Sequence, residues 1–166
     1  MADVFISFVH EDEPVARAVQ MFLREQLQRA AGLNDIRVFL SSDEWQILAG
    51  ENWLERIFKE LRETRVLVSL MSPIAVARPW VNFEAGAAWV AGKPVIPVCF
   101  GGQARDQLPK PYTILQAVNL PGDGYYLMRS VAHYLNPNCL VPPPFFQDGM
   151  ELEKVRVALE HYQLGT

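Results

Sequence analysis

Short apolar runs alternate along the chain with longer segments in which apolar residues recur at helical spacing. The run from Val66 to Met71 is nearly all apolar, which is typical of a strand covered on both faces of a sheet. From Val15 onward the apolar residues keep helical spacing until Gly32, which predicts an amphipathic helix ended by a glycine. Five strands are predicted from such runs, at residues 4–8, 36–40, 66–71, 95–100 and 116–120.

Helical segments alternate with the predicted strands. After the helix that ends at Gly32, a second spans about Trp53 to Leu61, another begins at Pro79, and a further one spans about Gly124 to Leu135. This alternation predicts an α/β fold with an open parallel five-stranded sheet, right-handed crossovers and helices on both faces. Ligands of such sheets bind at the carboxyl ends of the strands where the strand order reverses, usually between strands one and three. The loops expected to form a site are therefore those at residues 9–13, 41–50 and 72–78.

The pattern changes after Leu135. Prolines at positions 137 and 142–144 cannot continue a helix, and helical spacing resumes only from Met150 to Leu164. We interpret residues 1–135 as one domain and residues 136–166 as a Pro-rich connector with an appended C-terminal helix.

The composition is that of a globular domain without a membrane span. Half of the 166 residues are hydrophobic, yet no run approaches the roughly 20 apolar residues that a span requires. The chain starts directly with a strand-like run and lacks the features of a secretory signal. The net charge of -4, without clustered Lys or Arg, disfavours phosphate-rich partners. Cys99 lies in an apolar run and is expected to be a buried free thiol. We therefore expect a cytoplasmic protein that binds neither nucleic acid nor a membrane.

The loops disfavour several ligand sites that are common in parallel α/β sheets. The loop from Val9 to Glu13 carries acids that would repel the phosphate of a flavin. Strand three leads into Ser72, whereas a phosphoryl-accepting receiver domain needs an aspartate there. No GxGxxG, no GxxxxGK followed by Ser or Thr, and no GxSxG occurs. The three histidines are scattered, and no metal site is predicted.

The run Arg78-Pro79-Trp80-Val81-Asn82-Phe83-Glu84 carries the most suggestive chemistry. Pro79 suits the first position of a helix, and a spacing of four places Trp80 and Glu84 on one helix face. An aromatic plane beside a carboxylate suits a flat or cationic ring and a developing positive charge. Spacing alone leaves a second interpretation open, in which Trp80 is a packing residue and Glu84 a solvated acid.

Four segments, in this order, are similar to the successive motifs of a bacterial-type Toll/interleukin-1 receptor (TIR) domain. They are DVFISF at 3–8, IRVFL at 36–40 followed by SSDEW and AGENW, LMSP at 70–73, and RPWVNFE at 78–84. Each motif alone is weakly specific, but together they extend over about residues 3–135. The resemblance implies a flavodoxin-like TIR fold.

The resemblance also implies one of two functions. Enzymatic TIR domains cleave NAD at the nicotinamide-ribose bond, whereas others are scaffolds that signal by homotypic association. Glu84 occupies the place of the essential glutamate of the enzymes, and Trp80 that of the preceding aromatic residue, which favours catalysis. The chemistry agrees, because nicotinamide leaves as a neutral ring and a carboxylate stabilises the ribosyl oxocarbenium that remains. NAD would then be the substrate, and no cofactor is expected.

The resemblance and the predicted sheet edge indicate further substrate-binding residues. Phe8 and Val9 end strand one and are expected beside the nicotinamide, with plain burial as the alternative for Phe8. Arg37 and Arg78 are candidates for the pyrophosphate, with ordinary surface charge as the alternative. The loop from Asp43 to Gly50 resembles the mobile BB loop of the family, and an exposed Trp45 would serve as a ligand lid or an interface anchor. The predicted site comprises Glu84 as the catalytic residue and, for substrate binding, Phe8, Val9, Arg37, Asp43, Trp45, Gly50, Ser72 and Trp80.

Assembly and product are also inferred from the resemblance. TIR enzymes commonly build a composite site across subunits, so a homo-oligomer with weak activity as a monomer is expected. Gly86 and the alanines beside it are expected to allow close packing. Attack by water would give ADP-ribose and attack from within the substrate a cyclic ADP-ribose isomer, and the role expected is bacterial antiviral defence signalling. Two alternatives are a non-catalytic TIR scaffold and a nucleoside deoxyribosyltransferase, in which a glutamate is the covalent nucleophile.

Overall fold

The computed structural model of the chain describes residues 3–42, 53–141 and 150–164. The strands are β1 (Val4–Phe8), β2 (Val38–Ser42), β3 (Val66–Met71), β4 (Val95–Cys99) and β5 (Val118–Asn119). They form one parallel sheet in the order β2-β1-β3-β4-β5. The strand order therefore reverses between β1 and β3, and the predicted open parallel five-stranded sheet is confirmed.

Six α-helices accompany the sheet in the described ranges. They are α1 (Glu13–Ala31), α2 (Trp53–Glu63), α3 (Pro73–Val76), α4 (Pro79–Val90), α5 (Gly124–Leu135) and α6 (Met150–Leu164). Proline stands in the first turn of α1, α3 and α4, where its missing N–H is not needed. Gly32 ends α1 in the left-handed conformation, at φ 63°. The helices predicted around Gly124 to Leu135 and Met150 to Leu164 are confirmed, whereas α3 was not predicted. The helix predicted after strand four is wrong, because only two short 3₁₀ turns lie between β4 and β5.

The bounds of three strands differ from the prediction, and β4 differs only in ending at Cys99 instead of residue 100. β2 begins at Val38 instead of Ile36, since the adjacent β1 begins at Val4 and Val4 pairs with Val38. A parallel ladder cannot extend past the start of its neighbouring strand. β5 contains only two residues, both paired with β4.

The two faces of the sheet carry separate hydrophobic cores, because successive strand side chains point to opposite faces. Val4, Ile6 and Phe8 belong to the core formed with α1 and α5, to which α6 adds the buried Val155 and Leu159. The second core is formed with α2, α3 and α4, and it includes Phe5, Leu67, Met71, Ile57 and Val81. Helices on both faces are thus confirmed.

The appended helix α6 packs along α1. Its apolar residues join the same core as α1 and α5, so α6 is a part of that layer. The division of the chain at residue 135 stays a prediction. None of the helices in the described ranges is both long and apolar enough to cross a membrane.

Candidate active site

Glu84 lies on the face of α4 that packs against the sheet. Its neighbours on that face, Val81, Ala85 and Ala88, are buried, and Glu84 itself is 0% exposed. The interpretation of Glu84 as a solvated helix acid is therefore wrong. A carboxylate in such a position requires hydrogen-bond donors, because burial without partners costs several kcal/mol.

Two serine hydroxyls supply these hydrogen bonds. Ser7 of β1 donates from Oγ to Oε2 of Glu84. Ser41 of β2 donates from Oγ to Oε1 of Glu84, at 2.5 Å. Both serines are buried and are paired directly across the β1–β2 ladder. Each carboxylate oxygen therefore accepts a hydrogen bond from a different strand. Together the two hydrogen bonds fix the plane of the carboxylate.

The two serines belong to a row of three that crosses the sheet. Ser7 pairs with Ser41 on one side and with Ser69 of β3 on the other. Each is the fourth residue of its strand, after three apolar residues. Because paired residues of parallel strands point to the same face, all three hydroxyls belong to the face that carries α4.

Tyr112 joins this polar group from the segment that follows β4. It is 5% exposed, and burial raises the pKa of its hydroxyl to about 12. The nearby hydroxyl of Ser69 opposes this rise in pKa, and the negative charge of Glu84 adds to it. Tyr112 is therefore a neutral hydroxyl close to the carboxylate over the whole physiological pH range.

The loops at the carboxyl edge of the sheet are tied together by a second polar group. Ser72, directly after β3, donates to Oδ2 of Asp12 at 2.7 Å and accepts from the N–H of Ala75 at 3.0 Å. Asp12 is fully buried in the loop after β1. Arg78, just before α4, forms an exposed ion pair with Glu11. These contacts connect the loop after β1 with the segment that leads from β3 to α4.

The TIR domain family profile matches residues 4–128 of this chain. The chain belongs to the TIR domain family. A solved structure of the TIR domains of the activated Roq1 resistosome, which directly recognises the pathogen effector XopQ, is 16% identical. The structural alignment covers 97% of this chain and 99% of the Roq1 chain, with a TM-score of 0.47. No curated protein matches the chain.

Within this TIR domain, Val9 and Trp80 lie on the same side of the sheet as Glu84. Val9 is fully buried in the core that α4 forms. Trp80 is half-buried at the edge of that core, and its ring centroid is 5.2 Å from that of Phe83. The predicted grouping of Trp80, Val9 and Glu84 on one side of the sheet is thus present in the structure.

Phe8 and Arg37 lie away from this group. Phe8 is buried among the α1 and α5 residues, on the opposite face of the sheet, because it is one residue removed from Ser7. Arg37 is exposed at the amino end of β2, where its carbonyl accepts the N–H groups of Asp3 and Val4. A strand rises about 3.3 Å per residue, so the length of β1 separates Arg37 from the carboxyl edge. The structure therefore does not bring the side chains of Phe8 and Arg37 together with Glu84, and their assignments to the nicotinamide and the pyrophosphate stay predictions.

The remaining predicted residues have different outcomes. Ser72 lies at the carboxyl edge of the sheet, where it is the N-cap of α3 and donates a hydrogen bond to Asp12. Asp43, Trp45 and Gly50 lie outside the described residues. Gly86 is not a close-packing residue, since a methyl group on its Cα would meet no atom within 4 Å.

Ser7 and Ser41 are site residues that the sequence interpretation missed, although a signal was present. A serine occupies the fourth position of three otherwise apolar strands: VFIS, VFLS and VLVS. A hydroxyl buried in a strand needs a partner, and three at equivalent positions of parallel strands meet in a row. In the described part of the chain, no group of three or more His, Cys, Asp and Glu is arranged to hold a metal ion.

Proposed function

We propose that this TIR domain cleaves NAD at the nicotinamide-ribose bond and that Glu84 is its catalytic residue. The observation that carries the proposal is the wholly buried carboxylate whose two oxygens accept hydroxyls from two neighbouring strands. Such a group is fixed in position and shielded from water. Those are the properties that electrostatic stabilisation of a short-lived cation requires.

The reaction proposed needs one carboxylate. The bond between C1′ of the ribose and the nicotinamide nitrogen breaks, and its electron pair neutralises the pyridinium ring. The sugar is left as an oxocarbenium ion, which the negative charge of Glu84 stabilises. Water then adds to C1′ and loses a proton, which gives ADP-ribose. Attack by a nitrogen of the adenine or by a ribose hydroxyl would instead give a cyclic isomer.

Trp80 is proposed to form a wall of the substrate pocket. It lies one helical turn before Glu84, and its ring is half-buried beside that of Phe83. A half-exposed indole offers a flat apolar surface on which a base can stack. NAD is the substrate in this proposal, and no bound cofactor takes part.

The complete burial of Glu84 has a consequence for turnover. NAD reaches the carboxylate only after the groups that cover it move apart. We propose that this opening accompanies assembly into a homo-oligomer with composite sites, so that turnover per site rises with protein concentration. A cytoplasmic role in bacterial antiviral defence signalling is part of this proposal and rests on the resemblance to bacterial-type members.

The test is to incubate NAD with the concentrated protein and to separate the products by chromatography with mass detection. The wild type should release nicotinamide, and Glu84→Gln, which keeps the size but removes the charge, should not. The co-product distinguishes hydrolysis from cyclisation. Equal release by both proteins would remove Glu84 from the mechanism, and a trapped sugar adduct with turnover of nucleosides would indicate a deoxyribosyltransferase.

A non-catalytic scaffold is the second candidate function, and an exposed apolar surface on α4 favours it. Phe83, Trp89 and Val90 are 44%, 37% and 92% exposed, and Gly86 lies open between them. Contiguous apolar surface of this kind is typical of sites of protein association. An assembled wild type that releases no nicotinamide, together with unchanged assembly of Glu84→Gln, would favour the scaffold.

A further inference from the structure

We propose that Ser7 and Ser41 are positioning residues for Glu84, which keep its carboxylate aimed at the reacting sugar. The inference rests on the proposed function and extends it to two residues of the sheet. Each serine donates to one carboxylate oxygen, Ser7 to Oε2 and Ser41 to Oε1. Neither hydroxyl needs to contact the substrate for this role.

The two hydrogen bonds from Ser7 and Ser41 fix the last side-chain torsion of Glu84, which would otherwise vary widely. The last side-chain torsion of a glutamate has a broad, roughly two-fold distribution. Donors on two paired strands cannot move independently, because the β1–β2 ladder holds Ser7 and Ser41 in register. The carboxylate is thereby confined to one plane before any substrate arrives, and such preorganisation avoids a reorganisation cost during the reaction.

The chemistry of the donors suits a group that must act through its charge. Hydroxyl donors stabilise the ionised carboxylate yet carry no formal charge, whereas an arginine partner would cancel the field that the oxocarbenium experiences. An ionised carboxylate has about four acceptor positions, and the two serines use one on each oxygen.

A purely structural role of the serines predicts a different pattern of effects. In that case the hydroxyls only satisfy a buried acid, and their loss would lower stability and leave the chemical step of the remaining folded protein unchanged. Ser69 provides the matched control. It is paired with Ser7, equally buried and on the same face, but within the described residues its hydroxyl has no hydrogen-bond partner and does not bond to Glu84.

The experiment compares Ser7→Ala, Ser41→Ala and Ser69→Ala in steady-state NAD cleavage, with Ser7→Cys as a variant that fills the space but donates weakly. Loss of one hydrogen bond to a charged group corresponds to a decrease of about 10- to 100-fold. We expect that decrease in kcat, with little change in KM, for Ser7→Ala, Ser41→Ala and Ser7→Cys. Ser69→Ala should stay within about twofold of the wild type, as expected for a hydroxyl that does not touch the acid.

Infrared difference spectra supply a readout that does not depend on turnover. Subtracting the spectrum of Glu84→Gln from that of the wild type isolates the carboxylate band of Glu84. That band should shift in Ser7→Ala and Ser41→Ala and remain in place in Ser69→Ala. An unshifted band in the first two variants would show that the hydroxyls do not hold the carboxylate.

The outcomes separate the inference from the function on which it rests. A wild type that releases no nicotinamide overturns the proposed function and the catalytic part of the inference, and the infrared band alone then decides whether the serines hold Glu84. An active wild type with an inactive Glu84→Gln supports the function. If Ser7→Ala and Ser41→Ala then lose no more kcat than Ser69→Ala, the positioning role is overturned.

Discussion

The contact between Gly101 and Tyr162 leads to a quantitative prediction for how α6 is held on the domain. Gly101 follows β4 with φ 62°, and a methyl group on its Cα would come within 2.5 Å of Cε1 of Tyr162. Gly101→Ala therefore incurs two costs. The left-handed backbone costs a non-glycine residue about 1–2 kcal/mol, and the forced displacement of a packed ring costs about 1–3 kcal/mol more.

Gly32 offers a control with nearly the same backbone. Its φ is 63°, and a methyl group on its Cα would meet nothing within 4 Å. Gly32→Ala should therefore lower the free energy of unfolding by only the backbone cost, about 1–2 kcal/mol, whereas Gly101→Ala should lower it by about 2–5 kcal/mol.

Urea unfolding of Gly101→Ala, Tyr162→Ala and the double variant completes the test. Without the ring, Gly101→Ala should cost no more than Gly32→Ala, so the coupling free energy should be about 1–3 kcal/mol. Additive effects of the two substitutions would refute the contact. Equal costs for Gly101→Ala and Gly32→Ala in the wild-type background would refute it as well.

Two further predictions follow from buried titratable groups. The pKa of Tyr112 is raised from 10.0 to about 12, so between these pH values the unfolded chain loses a proton that the folded chain retains. The contribution of Tyr112 to the free energy of unfolding should accordingly be constant below about pH 10 and then fall by about 1.4 kcal/mol per pH unit up to about pH 12. Denaturant titrations of wild type and Tyr112→Phe at several pH values should differ by this slope, and parallel curves would contradict it. Burial raises the pKa of the Cys99 thiol to about 11, while Cys139 is only half-buried. Iodoacetamide should alkylate Cys139 first in the folded protein, and mass mapping that finds Cys99 modified equally fast would show that its burial is wrong.

The sequence was most informative where a single local cause determines structure. The strand Val66–Met71 and the helices Gly124–Leu135 and Met150–Leu164 have the predicted bounds, because apolar runs, prolines and glycines mark their ends. The parallel sheet followed from the same alternation of strands and helices. Such signals are contained in a few neighbouring residues.

The site was predicted less completely because it depends on relations between strands. Arg37 was assigned to the substrate, yet β1 begins at Val4 and that register leaves Arg37 at the amino edge. The position of Glu84 was predicted from helix spacing. That spacing shows that Glu84 and Trp80 share a face of the helix, but it does not show which face of the helix packs against the sheet. The hydrogen-bond partners of the buried Glu84 are Ser7 and Ser41, which lie 77 and 43 residues earlier in the chain. No local sequence pattern predicts contacts between residues so far apart.

The burial of Glu84 also bears on how the C-terminal helix relates to the site. Tyr162 of α6 lies outside the matched family region of residues 4–128, yet its ring meets that of Phe100 edge to face, with the centroids 5.5 Å apart, and its hydroxyl lies near Ser72. Ser72 in turn begins α3, which leads directly into the helix that carries Glu84. Helix α6, which lies beyond the family region, thus packs beside the residue that precedes α3. The next helix, α4, carries the buried Glu84.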